Sequence, residues 1–339
     1  MAITFHSVTG ADAATRELVL DWWEIARARN ASWSRKQAEC HFAWRYLSRE
    51  GGETLIARDG EHGIAVIDSF LRPYVQDGRR IMVRETCDWF CRPDYRRFGI
   101  GVQLMRRMMG RPEPIIVIGG SESNDNLLPK LGWTRLPDVE NFFLPLSARV
   151  TAEVGGMHRF VKLASGVVPR LPLFFLPRPN PPSASVEVRL RQASDDLPPE
   201  DEAHNFSPSL DSRTLDWLPL APVFEVKVLN FVSDGKPVGV SICRLGNHPF
   251  GKTASILHLH TANPGLFAWM VGSTVRFLHE QGAGIIRCRS SSPSLNAALR
   301  RSHFLRSKPA TAFWWSRDKE LPHAPMYLSL LRADDGVCL

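Results

Sequence analysis

The segment from Cys91 to Gly110, CRPDYRRFGIGVQLMRRMMG, holds the residues best suited to chemistry in this chain. Arginines stand at 92, 96, 97, 106, 107 and 111, with Asp94 the one acid between 92 and 111. The centre, Arg96-Arg97-Phe98-Gly99-Ile100-Gly101, follows an apolar run ending at Cys91. It precedes Val102, Leu104, Met105, Met108 and Met109 at helical spacing. Pro93 breaks the preceding strand, and Gly99 and Gly101 admit a close ligand because neither carries a Cβ. The unpaired amides of the first helical turn then face whatever binds, and the helix dipole favours an anion there. A pyrophosphate with a further phosphate nearby suits such a turn. A Rossmann fingerprint would need glycine at Leu104, and no Gly-Lys-Ser/Thr follows to make a Walker A loop. The plainer alternative is a surface helix with solvated arginines.

Arg-x-x-Gly-x-Gly after a strand and ahead of an apolar helix resembles the coenzyme-A signature of the GCN5-related N-acetyltransferase (GNAT) superfamily. The order of elements around it is similar to that family as well, down to the Leu131-Gly132-Trp133 ending of a later helix. The resemblance implies that amides from Arg97 through Phe98, Gly99 and Ile100 to Gly101 cradle the CoA pyrophosphate, with charge from Arg96 and Arg97. It implies that the strand end at Trp89 to Cys91 pairs with the pantetheine arm. A further cofactor contact falls on Ser121, with Asn124 and Asn126 close by. Some family members place a Glu base where Glu85 stands, with Asp88 as second candidate. Strict alternation puts those two on opposite strand faces unless a bulge intervenes. The family's frequent general-acid Tyr is here Leu128, followed by Pro129, and the second half lacks the signature near Asn263-Pro264-Gly265.

The elements that position these residues read as a mixed α/β series. Helices are expected over Asp12 to Asn30 and Ser34 to Leu47, and a hairpin around Asp59-Gly60. A strand follows at Ile81 to Cys91, the signature helix at Gly99 to Gly110, a strand at Pro114 to Gly119 and a helix at Asn124 to Leu131. A strand from Val139 to Leu146 is expected to close this half. Proline at 169, 172, 177, 179, 181 and 182 excludes regular structure there, so 147–185 reads as a linker packed across a domain junction. Beyond it, strands at Phe224 to Phe231 and Val238 to Arg244 flank Asp234-Gly235. Ala254 to Thr261 and Gly284 to Arg289 read as further strands, Leu266 to Gln281 and Leu295 to Ser302 as helices. At one offset of 171 residues, Ile115 to Trp133 lies over Ile286 to Phe304 and Trp44 to Tyr46 over Leu215 to Trp217. That agreement points to an internal duplication. The expected fold is therefore α/β (α+β, mixed sheet). Two GNAT-like domains, each a mainly antiparallel mixed sheet flanked by helices, cover 1–146 and, in degenerate form, 186–339.

Composition sets the remaining bounds. At 339 residues, 44% apolar and 23% charged, the chain has the length and make-up of two globular domains. The net charge of +7 fits an acidic partner, but no aromatic–basic interleaving singles out nucleic acid. Six cysteines without a C-x-x-C pair, and no secretory leader, fit a reducing, cytoplasmic setting. No apolar run is long enough to span a membrane. His258 and His260 share a strand face as two metal ligands would, but no third ligand follows, so a hydrogen-bonded pair is expected and no metal. Gly119-Gly-Ser121-Glu-Ser123 lacks the final glycine of a nucleophile elbow. Cys87 and Cys91 read as small buried residues. The expectation is transfer of an acyl group from acetyl-CoA or a longer acyl-CoA to a primary amine of a small molecule or sugar. A non-catalytic CoA-binding scaffold is the alternative. The second half would shape the acceptor cleft or mediate homodimerisation.

Overall fold

The computed structural model describes residues 2–8, 12–27, 34–47, 51–120, 122–147, 150–151, 186–200, 204–249 and 251–331. Ser121 and most of the proline-dense linker lie outside the described residues. Strand β1 (Ile3–Val8) leads into helix α1 (Ala13–Arg27), started by the Asp12 carboxylate accepting from the Thr15 amide at 2.9 Å. Helix α2 (Arg35–Phe42) opens with a capping box between Ser34 and Gln37. The helix expected to run unbroken to Leu47 instead widens into a π-turn, Ala43–Leu47. Arg45 and Tyr46 within that turn both reach Asp88, a contact that local helix propensity does not encode.

Strands β2 (Gly52–Asp59), β3 (His62–Gln76) and β4 (Arg79–Cys91) form a meander. Its second hairpin turns at Asp77-Gly78, where φ is +51° and +74°. Two positive φ values in succession are what a tight primed turn requires. A short helix α3 (Pro93–Arg96) and helix α4 (Ile100–Met108) precede β5 (Ile115–Ile118), whose four residues are all buried. Helix α5 (Glu122–Leu127) and a 3₁₀ turn lead to β6 (Thr134–Pro145). The second half holds β7 (Val186–Leu190), β8 (Phe206–Pro208), α6 (Ser212–Trp217), β9 (Glu225–Ser233), β10 (Lys236–His248) and β11 (Gly251–His260). It continues through α7 (Phe267–Glu280), β12 (Ala283–Ser290), α8 (Pro293–Arg301) and β13 (Leu305–Trp315).

One continuous sheet joins the halves, in the order β1-β2-β3-β4-β5-β13-β6-β12-β11-β10-β9-β7. In the first half α4 packs on Leu55, Ala65 and Ile67, while α1 and α2 pack on Ile56, Val66 and Phe90. In the second, α7 and α8 cover Leu229, Phe231 and Cys243, while α6 covers Val226, Val228 and Ile242. The repeat seen in sequence holds in the backbone. Gly132 and His303 are both left-handed, and the Trp133 and Phe304 amides donate to Leu128 and Leu299 carbonyls, each at 3.1 Å. One expectation needs correcting. β6 does not close its own half: it pairs with β12 and β13, and β13 takes the place beside β5. The two closing strands are exchanged, a choice between equivalent edges that local sequence cannot make.

Candidate active site: a parted strand pair above a glycine turn

β4 and β5 pair in parallel only at Arg84↔Ile115 and Glu85↔Ile116. Beyond Glu85 the strands separate, and β4 runs on to Cys91 with no strand beside it on the β5 side among the described residues. Just past the parting, β4 bulges: Cys87 pairs with Asp68 and Phe90 with Val66, so Asp88 and Trp89 stand against Ile67 alone. Asp88 takes φ +47° there. The bulge shifts the alternation, as two residues against one must. Phe90 joins Glu85 and Cys87 on the α1–α2 side, while Trp89 and Cys91 turn towards α4.

Below the opening lies the turn into α4. Gly99 is its N-cap at φ +69°, with no side-chain cap, and a Cβ added there would meet nothing within 4 Å. The amides of Ile100, Gly101 and Val102 have no carbonyl four residues back within the helix. Those of Phe98 and Gly99, expected in the same cradle, already donate to Tyr95 and Arg96 carbonyls at 3.2 and 3.0 Å. Of the amides in that expected stretch, those of Ile100 and Gly101 remain without a partner inside the helix, and Val102 joins them. Gly101 sits against Trp89, whose indole N–H donates to the Gly101 carbonyl at 3.1 Å. Arg96 donates from Nε to the Cys91 carbonyl at 3.0 Å, which locks the turn to the strand end. Arg97 lies 4.8 Å over the exposed Phe98 ring. The Ile100 side chain is core, leaving only its backbone to the cleft. Cys91 is half-buried, and burial pushes its thiol up. The Asn124 side chain packs on Gly120 where a Cβ would stand, and Gly120 takes φ +120°, which side-chain-bearing residues rarely adopt. These residues fit a diphosphate-bearing arm laid along β4.

Glu85 is fully buried at the fork. It accepts from the Tyr74 hydroxyl at 2.7 Å and has Arg72 Nε at 3.5 Å. Asp88 faces the same side but is engaged otherwise. It accepts from Tyr46 at 2.6 Å and Trp23 at 3.3 Å, with Arg45 Nη2 at 3.2 Å. Those contacts make it the clamp that holds α1 and the π-turn to β4. Asp88→Ala removes the carboxylate facing buried Arg45 and is expected to cost about 3–5 kcal/mol in denaturant unfolding. Asp88→Asn, whose side chain tolerates a left-handed backbone, should cost less.

Sequence reasoning missed Tyr74, Arg72 and Asp68. Asp68 interrupts the apolar run Gly63 to Phe70, which was a readable signal. It is buried, accepts from Thr54 at 2.7 Å and lies 3.4 Å from the Cys87 thiol; burial, ahead of every other cause, raises it to about 7. A carboxyl raised in the folded state stabilises fully below its unfolded value, and that stability is lost as pH rises through the folded value. The wild type should therefore lose stability relative to Asp68→Asn as pH rises from about 4 to about 7, read as a converging or crossing pair of unfolding midpoints. Leu128, where the family's Tyr would stand, is fully buried in the α4 core and does not face the opening. His258 and His260 are buried, 2.9 Å from the Ser329 hydroxyl and 2.8 Å from the Pro199 carbonyl.

No protein-family model matches the sequence, and no curated protein matches it. Solved structures do. A GCN5-related N-acetyltransferase from Anabaena variabilis aligns over 92% of this chain and 72% of its own, at 10% identity and TM-score 0.58. Saccharomyces cerevisiae N-myristoyltransferase with bound myristoyl-CoA aligns over 92% and 82%, at 10% identity and TM-score 0.59. A tandem GNAT protein from the clavulanic acid biosynthesis pathway aligns over 93% and 98%, at 10% identity and TM-score 0.55. Across nearly its whole length, the chain has the fold of the GCN5-related N-acetyltransferases, in tandem form.

Proposed function

We propose that the chain is an N-acyltransferase that uses acetyl-CoA or a longer acyl-CoA, with a primary amine of a small molecule or sugar as acceptor. The observation that carries this is the parting of β4 from β5 at Glu85, directly above an uncapped glycine turn. In this reading residues 1–146 hold the cofactor, 147–185 link, and 186–339 are the degenerate half that shapes the acceptor cleft. Ile100, Gly101 and Val102 amides hold the pyrophosphate, and Arg97 and Phe98 flank the nucleotide. Arg96 and Asn124 brace the turn and the neighbouring glycine loop, and Ser121 keeps the cofactor-contact role that the family resemblance implies. The β4 edge through Cys91 aligns the pantetheine. The bound thioester supplies an activated acyl carbon. Glu85 takes the proton from the attacking amine, with Tyr74 and Arg72 fixing its carboxylate. Asp88, clamped by three donors, positions the strand.

Leu128 favours a second reading, a CoA-binding protein without turnover, since the position of the family's frequent general-acid Tyr holds a buried side chain without a hydroxyl. A calorimetric titration with acetyl-CoA, followed by a free-thiol assay over a panel of amines, separates the two. Binding with amine-dependent thiol release supports the transferase. Binding without release on any amine favours the second reading, and no binding overturns both.

A further inference from the structure

The two halves part their strands alike and fill the gap differently. β11 leaves β12 after Ile256↔Cys288, as β4 leaves β5 after Glu85↔Ile116, and β11 also bulges just beyond, at Leu257. In the second half the gap is taken by the chain's own segment Met326–Leu331. The Tyr327 hydroxyl accepts from the Leu259 amide of β11 at 3.1 Å. Ser329 bridges to Ser290 of β12, the Ser291 amide donates to the Leu328 carbonyl at 3.1 Å, and the Leu328 amide donates to the Ser291 hydroxyl at 2.8 Å. Side chains alternate as in a strand. Met326 and Leu328 pack with Tyr74, Ile116 and Ile118 on the sheet face opposite α4, while Tyr327 enters the second-half core with Phe267 and Ile286. The turn before α7 is satisfied internally too, since Asn263 Oδ1 accepts from the Gly265 amide at 3.0 Å, whereas Gly99 has no such cap.

We propose that Met326–Leu331 is an internal ligand of the second half, filling the slot whose first-half counterpart is left open among the described residues and, in the proposed function, takes acyl-CoA. Its backbone pairs at the end of β12, and its Tyr327 and Ser329 side chains reach Leu259 and His258 of β11, so it takes up the room between the parted strands that an extended arm would need. The chain therefore takes one CoA, and the strap ties the halves together beneath the acceptor side. Only the stoichiometry rests on the cofactor reading.

The test uses the full chain. Calorimetry with acetyl-CoA should give one site per chain; two sites would overturn the proposal. Amide hydrogen exchange should show Leu259 and Leu328 protected. Tyr327→Phe should speed exchange at Leu259, and Ser291→Ala at Leu328, each by up to about tenfold, with Trp89 to Cys91 unchanged. Exchange at both amides that is unaltered by these variants would sink the strap. Exchange needs no CoA, so a failed cofactor reading shows separately, as absent binding heat with the protection pattern intact.

Discussion

Gly99→Glu should abolish useful acyl-CoA binding, raising Kd by about 100-fold or more. A left-handed backbone costs a residue with a Cβ about 1–2 kcal/mol. A carboxylate near a diphosphate is repelled by about 4 kcal/mol per charge pair at 4 Å in a surface-like dielectric. Exposure and salt screen part of that repulsion, and what remains still amounts to two decades. Gly99→Asn is the control. Asn tolerates the left-handed region and carries no charge, so its Kd should stay within about fivefold of wild type. Titration of both variants decides. Equal affinity for Glu and Asn at this position would mean that the turn holds no anion.

Glu85→Gln carries the second large effect. It retains an acceptor for the Tyr74 hydroxyl, so the fork should keep its shape, but it removes the charge and the proton-accepting power. We expect kcat to fall by about 100-fold or more on whichever amine turns over, with the acetyl-CoA Kd moving by less than about threefold. Glu85→Ala is expected to add a fold defect, because buried Arg72 then loses its carboxylate, at about 3–5 kcal/mol. Full turnover by the Gln variant would show that Glu85 serves only to hold Arg72 and Tyr74.

Much of the frame was readable from residues alone. The Asp234-Gly235 turn, the apolar face of the signature helix and the offset between Ile115 and Ile286 are local features, and each lands where spacing places it; the first hairpin turns one residue later than Asp59-Gly60, on Gly60-Glu61, because Asp59 still pairs with His62. The partners of Glu85 were less legible. Recognising Asp77-Gly78 as a hairpin would have folded β3 back on β4 and brought Tyr74 within reach of Glu85. Asp88 could not be assigned from alternation, because the bulge that turns it to the helices appears only when β3 and β4 are paired.

The sequence by itself determined the glycine turn at Gly99, since a glycine that must adopt positive φ and the arginines around it are properties of a few adjacent residues. It also determined that the chain is a doubled α/β unit. Only the tertiary structure decided that β6 and β13 exchange halves, that β4 bulges at Asp88, and that Met326–Leu331 closes the second fork. Each of those choices matches chain segments far apart in sequence, between edges of nearly equal local propensity. Their energies belong to the assembled sheet and to no single stretch of it.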